Sequence, residues 1–367
     1  MKYTLICLLI ATSMLSCDKN DDIIPGPDPA AIESRVITSN LNFPWEILWG
    51  PDSTLWITER LGTVSRVNPV TGAVTPLITI PDVTSYTDFN GLLGMVLHPQ
   101  FNTNPEVFVV YNYGPRTNYK EKVVRYTYNG TTLTNPMIIV DNLKGIDSGS
   151  AIHNGSRLLI TPDLKLFITT GDAQDTTLPQ NMSSLNGKTL RVNLDGTIPA
   201  DNPFPGSPVW TLGHRNVQGI VMVGSTLYIS EHGPNSDDEI NVLEKGRNYG
   251  WPFVRGICNL PDEITFCTAN NVVQPIISWT PTIAPCGIDY YTSDYIPQWK
   301  NSFLMTTLKD MRLKQLKVSG TAMTEISDFF VNQYGRIRDL AISPQGKVYI
   351  CTDNGNNGDV IVEIDKD

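Results

Sequence analysis

Basic residues and histidine are scarce in this sequence. Its 367 residues include 27 Lys and Arg against 37 Asp and Glu, which gives a formal net charge of −10, and only four residues are histidine. This balance argues against a nucleic-acid partner, because phosphate binding needs a basic surface. It favours a soluble protein with an affinity for metal cations.

Long apolar runs are also missing beyond the N-terminus, so no internal segment is expected to span a bilayer. The first residues, MKYTLICLLIATSMLSC, combine a positive Lys2 with an apolar core from Leu5 to Ala11 and a small Ser16 before Cys17. This arrangement resembles a bacterial lipoprotein signal peptide. We therefore expect residues 1–17 to be a signal peptide in which Cys17 becomes the lipidated residue, with plain secretion as the alternative.

The residues after Cys17 predict how the folded domain is attached to the membrane. Residues 18–34 are rich in proline and polar residues, which is typical of a flexible tether. Residues 35–367 are expected to form one folded domain, because no linker divides the chain further along. The protein is then predicted to be extracytoplasmic, either periplasmic or an outer-membrane lipoprotein, and attached to the membrane through the lipid on Cys17.

The sequence has no CxxC motif and no Cys/His spacing of the kind found in zinc sites. Four cysteines lie beyond the signal peptide, namely Cys258, Cys267, Cys286 and Cys351. In an oxidising compartment Cys258 and Cys267 could close a small loop. The sequence leaves this pairing open.

One phrase recurs along the chain, a turn followed by a short apolar strand that usually carries an aromatic residue. Its copies are PDSTLWIT (51–58), NPEVFVVY (104–111), PDLKLFIT (162–169), GSTLYIS (224–230), NSFLMTT (301–307) and PQGKVYICT (344–352). A spacing of about 45 to 75 residues is typical of propeller blades with loop insertions. We therefore predict an all-β fold, a six-bladed β-propeller, with a β-sandwich or a two-domain arrangement as the alternative. Helical patterns are few, and GLLGMVLHPQF (91–101) is expected to hold one helical turn.

Three of the histidines lie where a predicted strand meets a loop. His153 lies in AIHNG, His214 in GHRNVQG and His232 in SEHGPN. A lone histidine is more often a structural hydrogen-bonding residue than a catalyst. A zinc site formed by these three is possible, but their spacing does not select it.

A second candidate is a pair of arginines in GRIRDL (335–340). Alternation along a strand places Arg336 and Arg338 on one face. Two parallel guanidinium groups form a receptor for a ligand with several carboxylates, and Lys309 in TTLKD could join them. The alternative is an exposed face of an edge strand.

A third candidate is EHGPNSDDEINVLEKGRNYGWP (231–252), which concentrates three carboxylates after a Gly-Pro pair. Calcium prefers oxygen ligands, including backbone carbonyls, and Gly233 with Pro234 can aim successive carbonyls at one point. The acidic run that follows is then either a second cation site or a turn and capping motif. Its spacing is not that of an EF-hand.

Seven motifs in this order resemble the soluble pyrroloquinoline quinone (PQQ) sugar dehydrogenases, meaning the glucose and aldose dehydrogenases. They are GLLGMVLHPQF, HNGSRLLITPDLKLFITTGD, NGKTLRVNLDGTIPADNPF, GHRNVQG, EHGPNSDDEINVLEKGRNYGWP, WTPTIAP and GRIRDL. The resemblance covers about residues 42–362. That family has a six-bladed propeller, which agrees with the six phrases.

The resemblance implies a role for several residues. His153 matches the base that takes the proton from the sugar C1 hydroxyl, a task that suits an imidazole. Asp172 matches the carboxylate that orients this base, and Arg215 matches the guanidinium near the reacting oxygens. The residues that match contacts to PQQ are Asn216, Thr282, Lys309, Arg336, Arg338 and Asp353.

The resemblance also implies two calcium sites. The carbonyls of Gly233 and Pro234 match the pair that holds the calcium bound to PQQ, where the ion acts as a Lewis acid. Glu239, together with the carbonyl of Tyr249, matches a second, structural calcium site.

Together these matches predict a PQQ- and calcium-dependent dehydrogenase that oxidises an aldose at C1 to the lactone and passes electrons to an unidentified acceptor. Ile152 and the Phe89-Asn90 pair depart from the glucose-specific pattern near the sugar, so the identity of the sugar stays open. The alternatives are a calcium-dependent propeller lactonase or hydrolase, and a non-enzymatic carbohydrate-binding propeller at the cell surface.

Overall fold

The architecture is a ring of six antiparallel sheets, each with four strands. The computed structural model describes residues 31–85, 89–145 and 152–367. The predicted signal peptide and all of the tether before residue 31 therefore lie outside the described residues. The predicted six-bladed β-propeller is confirmed.

Blades 1 to 3 follow one another along the chain. Blade 1 consists of β2 (Pro44–Trp49), β3 (Leu55–Glu59), β4 (Thr63–Val67) and β5 (Val74–Thr79). Blade 2 consists of β6 (Leu92–Leu97), β7 (Glu106–Tyr113), β8 (Lys120–Tyr128) and β9 (Leu133–Lys144). Blade 3 consists of β10 (Gly155–Ile160), β11 (Lys165–Thr170), β12 (Lys188–Asn193) and β13 (Val209–Leu212).

Blades 4 to 6 complete the ring. Blade 4 consists of β14 (Val217–Val223), β15 (Thr226–Glu231), β16 (Asp238–Leu243) and β17 (Ile277–Trp279). Blade 5 consists of β18 (Pro285–Tyr291), β19 (Ser302–Thr307), β20 (Leu313–Ser319) and β21 (Ala322–Phe329), with a 3-10 turn at Pro297–Trp299. Blade 6 consists of β22 (Ile337–Ile342), β23 (Val348–Thr352), β24 (Asp359–Lys366) and the N-terminal β1 (Ile32–Leu41).

Each recurring phrase of the sequence ends in the second strand of a blade, namely β3, β7, β11, β15, β19 and β23. Adjacent blades bury these strands between them. One apolar cluster, for example, joins Phe108 and Val110 of blade 2 to Leu166 and Ile168 of blade 3. The core is thus divided among the interfaces between blades, which explains why every blade needs the same apolar strand.

The ring closes between the two ends of the chain. Strand β1 pairs antiparallel with β24, in a register that places Ile32 opposite Lys366 and Ser34 opposite Ile364. The folded domain therefore begins at least three residues before residue 35, where the sequence predicted it. This pairing hides the edge that β24 would otherwise expose.

The helical turn expected within residues 91–101 is wrong, because residues 92–97 form β6, the innermost strand of blade 2. Four successive residues from Leu92 to Met95 are buried. A strand that is covered on both faces loses the alternating pattern, so it cannot be told from a short buried helix by periodicity alone.

A long insertion separates β16 from β17, the third and fourth strands of blade 4. It contains helix α1 (Pro261–Asn270), and Cys267 of this helix forms a disulfide with Cys258. The pairing that the sequence left open is therefore present, whereas Cys286 and Cys351 are buried free thiols. No helix within the described ranges is long and apolar enough to cross a membrane.

Strand direction gathers the candidate residues at one end of the propeller. In every blade the first strand starts, and the second strand ends, at the same end of the ring. His153 and Arg215 shortly precede first strands, whereas Asp172, Gly233 and Lys309 follow second strands. Residues far apart in the sequence are thereby brought to one face around the axis.

Candidate functional site

A central cavity of about 430 Å³ opens at this end of the propeller. Its volume lies in the range that holds a small organic ligand, roughly 300–1,000 Å³. Five of the sequence-predicted residues line it, namely His153, Asn216, Lys309, Arg336 and Arg338. The other lining residues are Trp45, Phe89, Leu93, Ile152, Asn154, Gly155, Gln218, His232, Ala284 and Leu308. The described part of the lining contains no Asp or Glu.

His153 is held by a buried carboxylate. Its Nδ1 lies 2.7 Å from Oδ1 of Asp172, a residue that is 1% exposed. Because an ionised carboxylate only accepts hydrogen bonds, Nδ1 carries the proton and Nε2 is left as the basic nitrogen. Asp172 therefore fixes both the tautomer and the orientation of the imidazole, as the sequence comparison with the sugar dehydrogenases implies.

The backbone at His153 is also specialised. Its φ of 66° places a non-glycine residue in the left-handed region. Gly171 faces it so closely that a Cβ atom at this glycine would lie 1.7 Å from the His153 carbonyl oxygen. The TTGD motif therefore supplies both the glycine that admits this loop and the carboxylate that holds its side chain.

One wall of the cavity is cationic. Arg338, which is 4% exposed, and Arg60 both form ion pairs with Asp353, a carboxylate buried behind the cavity. Arg336 donates from Nε to the Asp353 carbonyl at 3.1 Å. Both predicted arginines of GRIRDL thus lie on the cavity side, and the edge-strand alternative is wrong.

These cations outnumber their counter-ion. Burial opposes the ionisation of Asp353, but Arg338 and Arg60 together lower its pKa, so one negative charge faces several positive ones. Burial, despite the attraction of Asp353, lowers the pKa of Arg60 to about 10, which still leaves it charged at neutral pH. Such an excess of positive charge, carried by the buried Arg60 and Arg338 and the half-buried Arg336, favours an anionic ligand.

Lys309 belongs to the same cationic lining of the cavity, and Thr282 is its hydrogen-bond partner. The Lys309 ammonium group donates to Thr282 Oγ1 at 2.7 Å. Nearby, Asn216 uses its side-chain oxygen to accept from Gly155 N at 3.2 Å and from Gln218 Nε2 at 3.0 Å. Its NH₂ group is the remaining donor available to a ligand.

His214 and His232 have structural partners. The two ring nitrogens of His214 contact Glu231 and Thr211, at 2.9 and 2.8 Å, and its ring stacks on Tyr249. Nε2 of His232 donates to the Pro285 carbonyl at 2.8 Å, and burial, reinforced by Arg338, lowers the pKa of His232 to about 3. The three histidines therefore do not converge on a zinc ion.

Arg215 lies beside a second, smaller cavity of about 20 Å³ that adjoins the first at His232. Its Nη1 donates to the carbonyls of His232 and Gly233 at 3.1 and 2.8 Å, and burial lowers its pKa. Glu231 accepts from the backbone N–H groups of Arg215 and Asn216. The buried Glu231–His214 pair thus fixes the start of β14.

Asp238, one of the three carboxylates of the acidic run, has a structural role as a hydrogen-bond acceptor. Its Oδ1 accepts from Gly233 N at 2.8 Å, and its Oδ2 accepts from the N–H groups of Ile283 and Ala284, both at 2.6 Å. One carboxylate therefore ties the Gly-Pro turn to the start of blade 5. Asp238 forms a turn cap, which was one of the two readings of the sequence.

Glu239 has a different environment from Asp238. It lines the smaller cavity together with Gly233, Pro234 and Tyr249, so all four predicted calcium-binding residues meet there. Burial and the neighbouring Glu231 raise the pKa of Glu239 to about 8. A cavity of this size suits one water molecule or one small ion.

Metal binding at this cavity would depend on backbone oxygens. Across residues 31–85, 89–145 and 152–367, no group of three His, Cys, Asp or Glu side chains is arranged to hold a metal ion. The Gly233 carbonyl already accepts from Arg215, and its second lone pair is the one available to a cation. This donor set of carbonyls with one carboxylate fits calcium better than zinc.

Several residues of the site escaped the sequence analysis. Trp45 and Gln218 line the central cavity, Arg60 supports its cationic wall, and Trp251 donates from Nε1 to Asp172 Oδ2 at 2.8 Å. Trp251 lies within the GRNYGWP motif, which was the one available signal. The other three resemble ordinary core or strand-end residues.

Comparisons with known proteins agree on one family. The family model described as Glucose / Sorbosone dehydrogenase matches residues 41–362. Quinoprotein glucose dehydrogenase B of Acinetobacter calcoaceticus is 34% identical, over 96% of this chain and 93% of that protein. Aldose sugar dehydrogenase YliI of Escherichia coli is 30% identical, over 89% of this chain and 92% of that protein.

A solved structure extends the comparison to three dimensions. The PQQ-bound aldose sugar dehydrogenase of Streptomyces coelicolor superimposes with a TM-score of 0.78 at 31% identity. The match covers 92% of this chain and 99% of that one.

Proposed function

This chain belongs to the glucose/sorbosone dehydrogenase family, and within that family we propose that it oxidises the C1 hydroxyl of an aldose to the lactone, using PQQ and calcium. An aldose or glucose dehydrogenase of the PQQ type is what the family and its relatives establish. The observation that carries the finer proposal is the His153–Asp172 pair, because it opens onto a cavity lined by three cations and no described carboxylate.

His153 is the group that takes the proton from the C1 hydroxyl. Its Nε2 is unprotonated when Nδ1 donates to Asp172, and the ring lines the cavity. Asp172 stabilises the imidazolium that forms, so the proton stays on the histidine until solvent removes it. Arg215 lies close by and stabilises the negative charge that develops on the reacting oxygens.

Asn216, Thr282, Lys309, Arg336, Arg338 and Asp353 are the residues proposed to hold PQQ. Lys309, Arg336 and Arg338 supply the positive charge that its carboxylates require, whereas Asp353 orients Arg338 from behind. When bound, PQQ supplies the hydride acceptor, and the protein supplies position and the base. The final electron acceptor is unidentified.

Calcium is proposed to bind the carbonyls of Gly233 and Pro234, with a second ion at Glu239 and the Tyr249 carbonyl. The first ion would act as a Lewis acid at the quinone, and the second would offset the buried charge of Glu239. The four residues line one small cavity, and because its volume suits a single ion, this supports one of the two calcium ions.

We propose that the protein acts outside the cytoplasm, tethered by residues 18–31, which precede β1, and anchored through a lipid on Cys17. Palmitate labelling of wild-type cells should label the protein, and Cys17→Ser should lose the label. Retention of the label in Cys17→Ser would reject the anchor without affecting the enzymatic proposal.

The two alternative functions, a lactonase and a carbohydrate-binding propeller, differ from the proposed one in the cofactor and the residues that they need. A calcium-dependent lactonase would hydrolyse lactones without PQQ and would need side-chain carboxylates around its metal, which the described residues do not supply. A carbohydrate-binding propeller would bind sugar without turnover. A dye-reduction assay over a panel of mono- and disaccharides, with calcium and with or without PQQ, separates these functions and identifies the sugar.

Lys309→Met and Arg336→Gln test the cationic wall. Each removes one charge-assisted contact, so the Kd for PQQ should rise about 10-fold or more, whereas kcat at saturating PQQ should change much less. Titration of apoprotein with PQQ gives the Kd. Arg66→Gln is the matched control, because Arg66 is ion-paired with Asp52 away from the cavity; equal Kd values for all three variants would reject the assignment of the wall.

Gly233→Ala tests the carbonyl turn. An added Cβ would lie 2.0 Å from the Ser236 carbonyl oxygen, so the turn must shift and carry its carbonyls with it. The calcium concentration for half-maximal reconstitution should rise about 10-fold or more, which is the usual effect of disturbing the groups that orient the metal ligands. In Gly320→Ala an added Cβ meets no atom within 4 Å, although φ is 64° there. A calcium requirement in Gly233→Ala like that of Gly320→Ala would remove the turn from the metal site.

A further inference from the structure

Resting on the proposed function, we infer that Trp251 is a positioning residue for the proton transfer, which acts through the second oxygen of Asp172. The insertion between β16 and β17, which carries Trp251, would then contribute a residue to the active site.

The two oxygens of Asp172 have separate partners. Oδ1 contacts His153 Nδ1 at 2.7 Å and accepts from Gln174 N at 2.8 Å. Oδ2 accepts from the indole Nε1 of Trp251 at 2.8 Å. Because both oxygens are engaged, the carboxylate cannot rotate away from the imidazole without breaking a hydrogen bond.

Loss of the indole donor would leave Asp172 Oδ2 buried without a hydrogen bond, which is energetically unfavourable. Asp172 is 1% exposed, so water would not replace the missing N–H group at Oδ2. A buried carboxylate oxygen without a donor is unfavourable, and rotation of the carboxylate towards another donor would relieve it. Such a rotation would take Oδ1 away from His153 and release the base from its working orientation.

The ring of Trp251 also contacts the second catalytic candidate. The guanidinium carbon of Arg215 lies 5.4 Å from the centre of the indole ring, within the range of a cation–π interaction. The backbones of Asp172 and Arg215 are joined directly, because Asp172 N donates to the Arg215 carbonyl at 2.8 Å. The side chain of Trp251 thus contacts both Asp172 and Arg215.

Trp251 is itself fixed by the neighbouring blade. The backbone N–H of Trp251 donates to the Gly213 carbonyl at 3.0 Å, and the backbone carbonyl of Trp251 accepts from Gln180 Nε2 at 2.8 Å. Trp251 lines the small cavity and is not among the residues that line the central one. Its indole N–H contacts Asp172 and none of the residues proposed to hold PQQ or calcium, so the loss of this donor is expected to affect turnover and not the binding of cofactor or sugar.

Trp251→Phe is the test, because it removes the indole N–H and keeps an aromatic ring. In the reconstituted enzyme kcat should fall about 10- to 100-fold, which is the effect of one hydrogen bond to a charged group. The Michaelis constant for the sugar and the Kd for PQQ should each stay within about twofold of wild type. With the C1-deuterated sugar, the isotope effect on kcat should be at least as large as in wild type, because the chemical step is the one that is slowed.

Trp210→Phe is the matched control. The Trp251 ring has a second cationic neighbour, Arg255, at 6.0 Å, and Trp210 likewise has two, Arg191 at 5.1 Å and Lys245 at 5.6 Å. Nε1 of Trp210, however, has no hydrogen-bond partner in the described part of the chain. This variant should keep wild-type kcat. If Trp251→Phe matches Trp210→Phe in kcat, or loses PQQ affinity in proportion to kcat, the positioning role is wrong.

A measurement on the apoprotein keeps this inference separate from the enzymatic proposal. With ¹⁵N-labelled histidine, the downfield Nδ1–H proton of His153, assigned by its loss in His153→Gln, should shift in Trp251→Phe and stay in place in Trp210→Phe. An unchanged resonance in Trp251→Phe would overturn the inference even if wild type oxidises aldoses. A shifted resonance would support the coupling even if no aldose is oxidised, in which case the proposed function alone fails.

Discussion

Replacing His153 with alanine is expected to reduce kcat about 10²- to 10⁴-fold, the usual contribution of a general base. PQQ binding should stay nearly intact, because the charges proposed to hold the cofactor lie on Lys309, Arg336 and Arg338. Stopped-flow reduction by sugar gives the rate, and titration of the apoprotein gives the PQQ affinity.

His98→Ala provides the control for the loss of a buried histidine. His98 is 6% exposed, and its Nδ1 accepts from Gln100 N at 3.0 Å, away from both cavities. This variant should keep the wild-type rate per folded molecule. A His153→Ala enzyme as fast as His98→Ala would refute the assignment of the base.

Removal of calcium is the second change with a large expected effect. A chelator such as EGTA should bring sugar oxidation down to background, and calcium added together with PQQ should restore it. The reason is that the proposed ligands of the two ions are all oxygen atoms, the carbonyls of Gly233 and Pro234 for one ion and Glu239 with the Tyr249 carbonyl for the other, and such donors favour calcium.

The choice of metal makes this prediction specific. Zinc prefers nitrogen and sulfur ligands in a tetrahedral arrangement, and the described residues offer no such group. Zinc alone should therefore fail to restore the chelated enzyme. Full restoration by zinc would contradict the assignment of Gly233 and Pro234, as would activity that survives complete removal of calcium.

Local pattern predicted the architecture but not the way the ring closes. The six phrases mark the second strand of every blade, because each such strand must be apolar to pack between its neighbours. The pairing of β1 with β24 joins residues at opposite ends of the chain, such as Ile32 and Lys366, and no local pattern records it. The end of the tether was placed too late for the same reason.

The sequence could predict those residues of the site whose types are uncommon in this chain. Four histidines and the alternating Arg336 and Arg338 stand out in a chain with little positive charge, and the structure brings His153 and both arginines to one cavity. Trp251 and Trp45 escaped, because a tryptophan in a sequence looks like a core residue until its neighbours are known. Asp238 and Glu239 are adjacent in the sequence, yet only the fold assigns one to a turn cap and the other to a buried cavity.

The central claim is that the central cavity binds PQQ and that the bound quinone takes hydride from an aldose. The most direct measurement is the absorption spectrum of apoprotein reconstituted with stoichiometric PQQ and calcium, recorded before and after adding an aldose without any dye. The spectrum should change from that of oxidised to that of reduced PQQ, with one sugar consumed per cofactor. A spectrum that stays that of free oxidised PQQ across the whole sugar panel would contradict the account.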